Sequence, residues 1–217
     1  MKHLICFGDS ITDCGRFFDA PPLGDGYVRI TAEKLKRADK EVTVINRGFD
    51  GFTIRRVLDV VKSQPIPSGS TCTLLAGIND IGLMMNTNRT PGQKDAMLNA
   101  FAATYEDTIR LIRESADRLI LMEPFLFPCP AEFKLWLPYI SAMSRIIGAL
   151  ADKYRLPYLL LHSRLNRLAS QNGFPAVTVD GVHLTALGHQ FLSDNCSKCY
   201  KIFFINACFY ISPAKSG

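Results

Sequence analysis

Five short, nearly unbroken apolar runs punctuate the chain, at residues 3–7, 42–46, 72–76, 119–122 and 156–161. Each is rich in Leu, Ile or Val and lacks the apolar/polar alternation of a half-buried strand, so each reads as a strand covered on both faces. Between them lie stretches whose apolar residues recur at helical spacing, at residues 27–37, 53–62, 95–115 and 130–154, and a last one at about 185–195. Thr53 suits a helix cap, and Pro138 is expected to kink or split the fourth stretch, because proline removes a backbone donor. Strand alternating with helix implies right-handed crossovers and a parallel sheet. The expected fold is therefore α/β, a three-layer α/β/α sandwich around a five-stranded parallel sheet. Residues 65–70 read as a loop. The domain is expected to span residues 1–195. Residues 196–217, rich in cysteine and aromatic side chains, break the pattern. They are set apart as a tail that reads as an extra strand, a packed segment or the product of a shifted reading frame.

Composition narrows the classes without choosing among enzymes. At 217 residues, 47% hydrophobic and 21% charged, the chain suits one soluble globular domain and neither a disordered nor a membrane class. A formal charge of +5 with scattered Lys and Arg gives no sign of a nucleic-acid surface. Residues 1–7 are interrupted by Gly8 and Asp9 before a signal-peptide core could form, and residues 202–211 are too short to span a bilayer. Seven cysteines without regular spacing cannot complete a disulfide framework, which points to a reducing, cytoplasmic setting. Cys196-x-x-Cys199 has no second pair at zinc-site spacing and reads as packing.

In an open parallel sheet, ligands bind outside the carboxyl ends of the strands. Gly8-Asp9-Ser10-Ile11-Thr12-Asp13 follows the first strand, and Asn46-Arg47-Gly48-Phe49-Asp50-Gly51-Phe52-Thr53 ends the second. Gly77-Ile78-Asn79-Asp80 follows the third, and Asp180-Gly181-Val182-His183-Leu184 comes after the last. These segments supply what acyl transfer needs. A serine hydroxyl is a poor nucleophile at neutral pH and requires a base; imidazole, with a pKa of about 6.5, suits that task. A carboxylate on the far ring nitrogen fixes the tautomer. Asp180 and His183, three residues apart, can share one turn. The backbone N–H groups of Ser10 and Gly51 and the side-chain amide of Asn79 are candidate donors to an oxyanion.

On these four blocks the chain resembles the SGNH (GDSL-like) hydrolases, with Ser10, Gly51, Asn79 and His183 at the four positions that name them. The resemblance spans residues 3–190 and implies a flavodoxin-like sheet. It also implies a catalytic set of Ser10, Asp180 and His183, an oxyanion hole of Ser10, Gly51 and Asn79, and no metal or organic cofactor. Gly8 through Arg16, Gly26-Tyr27-Val28 and Leu121 through Phe125 are similar to bacterial carbohydrate acetylesterases, including acetylxylan esterases, although Leu184 replaces the proline usual there. The implied partner is a small-molecule or oligosaccharide acyl ester, with self-association open. Asp13 and Asp50 are candidates to line the cleft mouth or to be solvated loop carboxylates. Arg16, Tyr27 and Trp136 are candidates for a sugar clamp or for core and rim. Asp9, Asn46 and Asp80 read as loop braces and caps, and His3, His162 and His189 as packing or surface residues. Two alternatives remain: a lipase, lysophospholipase or thioesterase on the same scaffold, and a non-catalytic sugar- or protein-binding module.

Overall fold

A computed structural model describes residues 2–19, 22–39 and 41–205. Its sheet contains β1 (Lys2–Gly8), β2 (Val42–Gly48), β3 (Ser70–Leu75), β4 (Arg118–Met122) and β5 (Tyr158–Leu159). The strands are parallel and ordered β2-β1-β3-β4-β5. Helices cover both faces, and the core lies between layers: Leu4, Ile5, Phe7, Leu74, Leu121 and Met122 have essentially no exposure. The expected three-layer sandwich is thus the observed one.

Strand order reverses at β1. The chain leaves β1 for β2 on one side and returns to β3 on the other, so a crevice opens between the carboxyl ends of β1 and β3. The short helix α1 (Ser10–Asp13) begins at one lip, followed by α2 (Tyr27–Ala38) and, after β2, α3 (Ile54–Ser63). The other lip carries α4 (Ile78–Met85), which hydrophobic spacing had not indicated.

Three further differences have local causes. Helix α5 (Pro91–Ser115) starts four residues before the expected point. Thr90 Oγ1 accepts the Gln93 N–H at 3.3 Å, Gln93 Oε1 accepts the Thr90 N–H at 2.9 Å, and Pro91 sits where its missing donor costs nothing. Pro138 splits the fourth stretch rather than kinking a helix: it lies in the first turn of α6 (Leu137–Tyr154), preceded by a separate 3-10 segment at Ala131–Trp136. Strand β5 is shorter than expected because Glu123 captures the N–H groups of Leu161 and His162 at 2.7 and 2.8 Å, turning the chain into α7 (His162–Asn172).

After α7 come the single turn α8 (Phe174–Val177) and α9 (Ala186–Ile205), which runs ten residues past the expected end. Its extension is held by burial: Cys196 and Tyr200 are almost wholly inaccessible. Asp194 pairs with Lys34 of α2 at 2.7 Å, and Thr31 donates to Ser193 at 3.1 Å. Of the tail, residues 206–217 lie outside the described residues. No helix among the described residues is long and apolar enough to cross a membrane. Cys6, Cys14, Cys72, Cys129, Cys196 and Cys199 carry free thiols.

The end of β2 carries the α1 loop directly on its backbone. Asn46 Nδ2 donates to the carbonyls of Thr12 and Leu23 at 2.6 and 2.8 Å, and its Oδ1 accepts the Gly48 N–H at 2.8 Å. A Cβ on Gly48 would lie 2.6 Å from the Thr12 carbonyl carbon and closer still to the Asp13 backbone nitrogen. Gly48→Ala is therefore expected to cost roughly 1–3 kcal/mol by overpacking. In a thermal melt followed by circular dichroism that is a drop of roughly 3–10 °C.

Candidate active site

Ser10 opens α1 immediately after β1. Asp9 caps the helix, its Oδ1 accepting the Ile11 N–H at 3.1 Å, and Cys14 ends it in a left-handed conformation. The serine hydroxyl is held where the helix starts, at the lip of the crevice.

The partner turn is built almost wholly from local bonds. Asp180 Oδ1 accepts the backbone N–H groups of Val182 and His183 at 2.9 and 2.7 Å, leaving Oδ2 to meet His183 Nδ1 at 2.6 Å. Thr178 closes the turn from beneath, accepting the Gly181 N–H at 2.9 Å and donating to the His183 carbonyl at 2.8 Å. Leu184 is buried and its backbone bridges to Thr178. Gly181, at φ +92°, lets the turn pass under Cys129 and Phe133: a Cβ there would strike the Cys129 carbonyl and come within 2.8 Å of the Phe133 ring. His183 Nε2 lies 3.0 Å from Ser10 Oγ.

Electrostatics assign the protons. Partial burial works against ionisation of Asp180, but the His183 ring and the two backbone N–H groups outweigh it and hold the carboxyl below its usual range. An ionised Asp180 requires the proton on Nδ1, so Nε2 presents its lone pair to Ser10. His189 cannot substitute: burial, with the nearby charge of His183, pushes its pKa down to about 4, and its Nδ1 is occupied by the Tyr27 N–H at 3.2 Å.

A cleft of about 260 Å³ opens over this chain of bonds. Ser10, Asp180 and His183 line it together with Asn79, Asp50 and Val182. Phe133 and Trp136 also line it, with Ile78 and Gly82 of α4 and Asn86, which caps the end of that helix. The Asn79 amide also donates to the Phe52 carbonyl at 3.1 Å, which fixes its side chain. Asp80 accepts the Ile54 N–H at 3.0 Å and so ties α4 to α3. Gly51, at φ +69°, sits in the exposed turn beside Asp50.

Of the five candidate substrate contacts, the structure brings Asp50 and Trp136 to the cleft and leaves Asp13, Arg16 and Tyr27 out of it. Tyr27 is fully buried, with its hydroxyl 3.1 Å from Thr12 Oγ1. Asp13 is buried and 3.1 Å from Arg16 Nε, which itself donates to the Gly48 carbonyl at 2.6 Å. The Arg16 guanidinium lies against the Phe17 and Phe49 rings, at 4.0 and 4.2 Å from their centroids. Tyr27, Asp13 and Arg16 therefore brace the Ser10 loop from below. Gly82 and Asn86 were not singled out from sequence, yet they follow Asn79 at helical spacing, which would have placed them on its face had α4 been recognised. Among the described residues, no group of three or more His, Cys, Asp or Glu side chains is disposed to hold a metal.

The model of the GDSL-like lipase/acylhydrolase family matches residues 6–191. The chain belongs to that family. This GDSL hydrolase is 25% identical over 206 residues to an acetylxylan esterase of Geobacillus stearothermophilus, covering 88% of this chain and 90% of the relative. It is 22% identical over 221 residues to an isoamyl acetate-hydrolyzing esterase of Saccharomyces cerevisiae, covering 94% and 87%. A solved structure of the Geobacillus acetyl xylan esterase superposes with a TM-score of 0.76 at 24% identity, over 91% of this chain and 93% of that one, which shows the shared fold. Other solved forms of that esterase, described as catalytic mutants, carry alanine in place of a serine, a histidine or an aspartate. As a member of the family, the GDSL hydrolase described here is a carboxylic ester hydrolase.

Beneath the site, burial raises the Asp9 carboxyl to about 7, with Asp80 adding to the effect and the Ile11 N–H and His183 opposing it. A native carboxyl raised above its unfolded value of about 4 binds its proton more tightly when folded, so its contribution is complete below pH 4 and is lost as pH climbs through 7. Denaturant melts are expected to show stability declining across that window. Asp9→Asn, which retains an acceptor for Ile11, should make the decline shallower without removing the part due to Asp80, itself raised to about 7.

Proposed function

We propose that the protein is a serine esterase that removes short acyl groups, chiefly acetyl, from carbohydrates through an acyl-enzyme on Ser10. The observation that carries this reading is the unbroken line from Asp180 Oδ2 through the His183 ring to Ser10 Oγ, at 2.6 and 3.0 Å, ending at the cleft. The acetyl preference is supported by the two relatives, one named for acetylxylan and one for an acetate ester. It is further supported by the modest size of the cleft and its mixture of aromatic, amide and carboxylate side chains.

As Ser10 Oγ attacks the ester carbonyl carbon, its proton passes to His183 Nε2, and Asp180 stabilises the resulting imidazolium. The former carbonyl oxygen becomes an oxyanion, with the N–H groups of Ser10 and Gly51 and the Asn79 amide as its donors; losing one such donor typically costs about 10²–10³ in rate. Collapse breaks the bond to the alcohol oxygen, which takes the proton from Nε2 and leaves. Water then gives a proton to Nε2 as it attacks the acyl carbon, and the second tetrahedral intermediate expels Ser10 Oγ, which is reprotonated by His183. The products are the free alcohol and the carboxylic acid. The free thiols suit a reducing, cytoplasmic setting for this chemistry.

The apolar wall of Phe133, Trp136 and Val182 favours a second reading, a lipolytic esterase or thioesterase for longer acyl chains. Ser10→Ala should lower hydrolysis of small aryl acetates by at least about 10³-fold, and a serine-directed phosphonate should label Ser10 alone. Intact hydrolysis in purified Ser10→Ala would rule out the acyl-enzyme. Across aryl esters of increasing acyl length, kcat/KM should be greatest at acetyl, whereas a maximum at long chains would select the second reading.

A further inference from the structure

The 3.0 Å approach of His183 Nε2 to Ser10 Oγ depends on how the Asp180–His183 turn and the α1 loop are fixed against each other. Among the described residues, two hydrogen bonds run directly between residues 9–14 and residues 178–189. One is that approach itself. The other joins His189, six positions after His183, to Cys14, four positions after Ser10, with Nε2 and Sγ 3.5 Å apart.

The His189 ring is rooted firmly. It lies in the first turn of α9, where its N–H donates to the Thr185 carbonyl at 2.9 Å, and the Thr185 N–H donates to the Val177 carbonyl at 3.0 Å. Gly188 lets that turn close onto the catalytic one: a Cβ there would stand 2.6 Å from the Val177 carbonyl oxygen and 2.8 Å from the Leu184 side chain. The ring itself is buried, and its Nδ1 accepts the Tyr27 N–H at 3.2 Å. Helix α2 has no side-chain cap from its own N-cap residue, Gly26, so the imidazole supplies an acceptor for one of its orphan donors. A ring nitrogen that accepts carries no proton. In the neutral ring that burial favours, the proton is therefore on Nε2, facing Cys14.

At the far end, Cys14 closes α1 at φ +41°. Its N–H donates to the Ser10 carbonyl at 2.9 Å, and its carbonyl accepts the Asp25 N–H at 2.8 Å. Tyr27, whose N–H the ring holds, reaches the same short helix through its hydroxyl, 3.1 Å from Thr12 Oγ1. Two paths thus lead from His189 to the turn that carries Ser10. Both need glycine at position 26, where a Cβ would lie 2.8 Å from Cys14 Cβ and 2.9 Å from both Cys14 Sγ and His189 Cε1.

We propose that His189 is a positioning residue, a strut that sets the separation of His183 from Ser10 by tying the first turn of α9 to Cys14 and to the start of α2. The proposal rests on the esterase reading above and adds to it the group that keeps base and nucleophile in register. Neither His189 nor Cys14 lines the cleft. Loosening the strut therefore acts on the chemical step and not on substrate binding; a misplacement of about 1 Å can cost about 10²-fold in rate.

The test measures kcat, KM and melting temperature on an aryl acetate for wild type, His189→Asn, Cys14→Ala and the double variant. Asparagine places its Oδ1 where the imidazole has Nδ1, so it keeps the acceptor for the Tyr27 N–H and gives up only the reach to Cys14. Cys14→Ala removes the same contact from the other end. Each single variant should lower kcat about five- to twentyfold and leave KM within about twofold of wild type. The double variant should lose no more than either single one, because both cut one bond. Labelling of Ser10 by a serine-directed phosphonate should slow in step with kcat. A kcat within about twofold of wild type in both single variants would overturn the proposal, as would losses that multiply in the double variant. So would losses that disappear once rates are divided by the folded fraction, since His189 would then support the fold alone. Wild-type protein separates the two levels. If its Ser10 takes the label and the variants match it in kcat, the strut is lost and the esterase stands; if it neither takes the label nor hydrolyses the ester, the esterase reading falls with it.

Discussion

The hydrogen bond from His183 Nδ1 to Asp180 Oδ2 decides which face of the imidazole is available to Ser10, and the remaining structure can be understood as what makes that bond obligatory. Two backbone N–H groups seize Asp180 Oδ1, so Oδ2 has one direction left to point. The turn itself is closed by Thr178 below and by the ring of Phe133 above Gly181. A carboxylate and an imidazole three residues apart need little ordering beyond what the turn already supplies. The long-range problem is reduced to delivering one hydroxyl to one nitrogen across 173 positions of chain.

That delivery is the task of the parallel sheet. The reversal of strand order at β1 leaves a crevice in which no helix can sit, and the segments after β1 and β3 emerge on its two sides. The groups that hold the Ser10 loop face away from the cleft: buried Asn46 bonds its carbonyls, buried Asp13 meets Arg16, and Arg16 rests against Phe17 and Phe49. Asp13 and Arg16 look on paper like substrate-binding side chains, and both were candidates for that role. Polar residues near a nucleophile divide into those that touch the ligand and those that fix the loop, and only burial tells them apart.

The same distinction explains what could be seen in the sequence. Strands buried on both faces leave unbroken apolar runs, so all five were legible, as were the long amphipathic helices and the strand-end blocks holding Ser10, Asn79, Asp180 and His183. Helix α4 was not, because its residues Ile78–Met85 are apolar on more than one side, where they meet both the core and the cleft. The start of α5 was written in Thr90-Pro91-Gly92-Gln93, a local capping signal that periodicity alone ignores. The extension of α9 depends on Cys196 and Tyr200 finding cover against distant elements, a fact of tertiary packing that no local pattern contains. The position of Tyr27 was illegible for the same reason, since an aromatic beside a glycine reads alike in a cleft and in a core.

Burial also sets the electrostatic character of the site. Asp9 lies almost without exposure one residue before Ser10, and its carboxyl is raised to about 7, whereas Asp180, half open to solvent and held by three donors, is kept low. Two carboxyls within reach of one imidazole are thereby given opposite tendencies. The buried one resists ionisation and acts as a cap, and the exposed one stays ionised and orients the His183 ring.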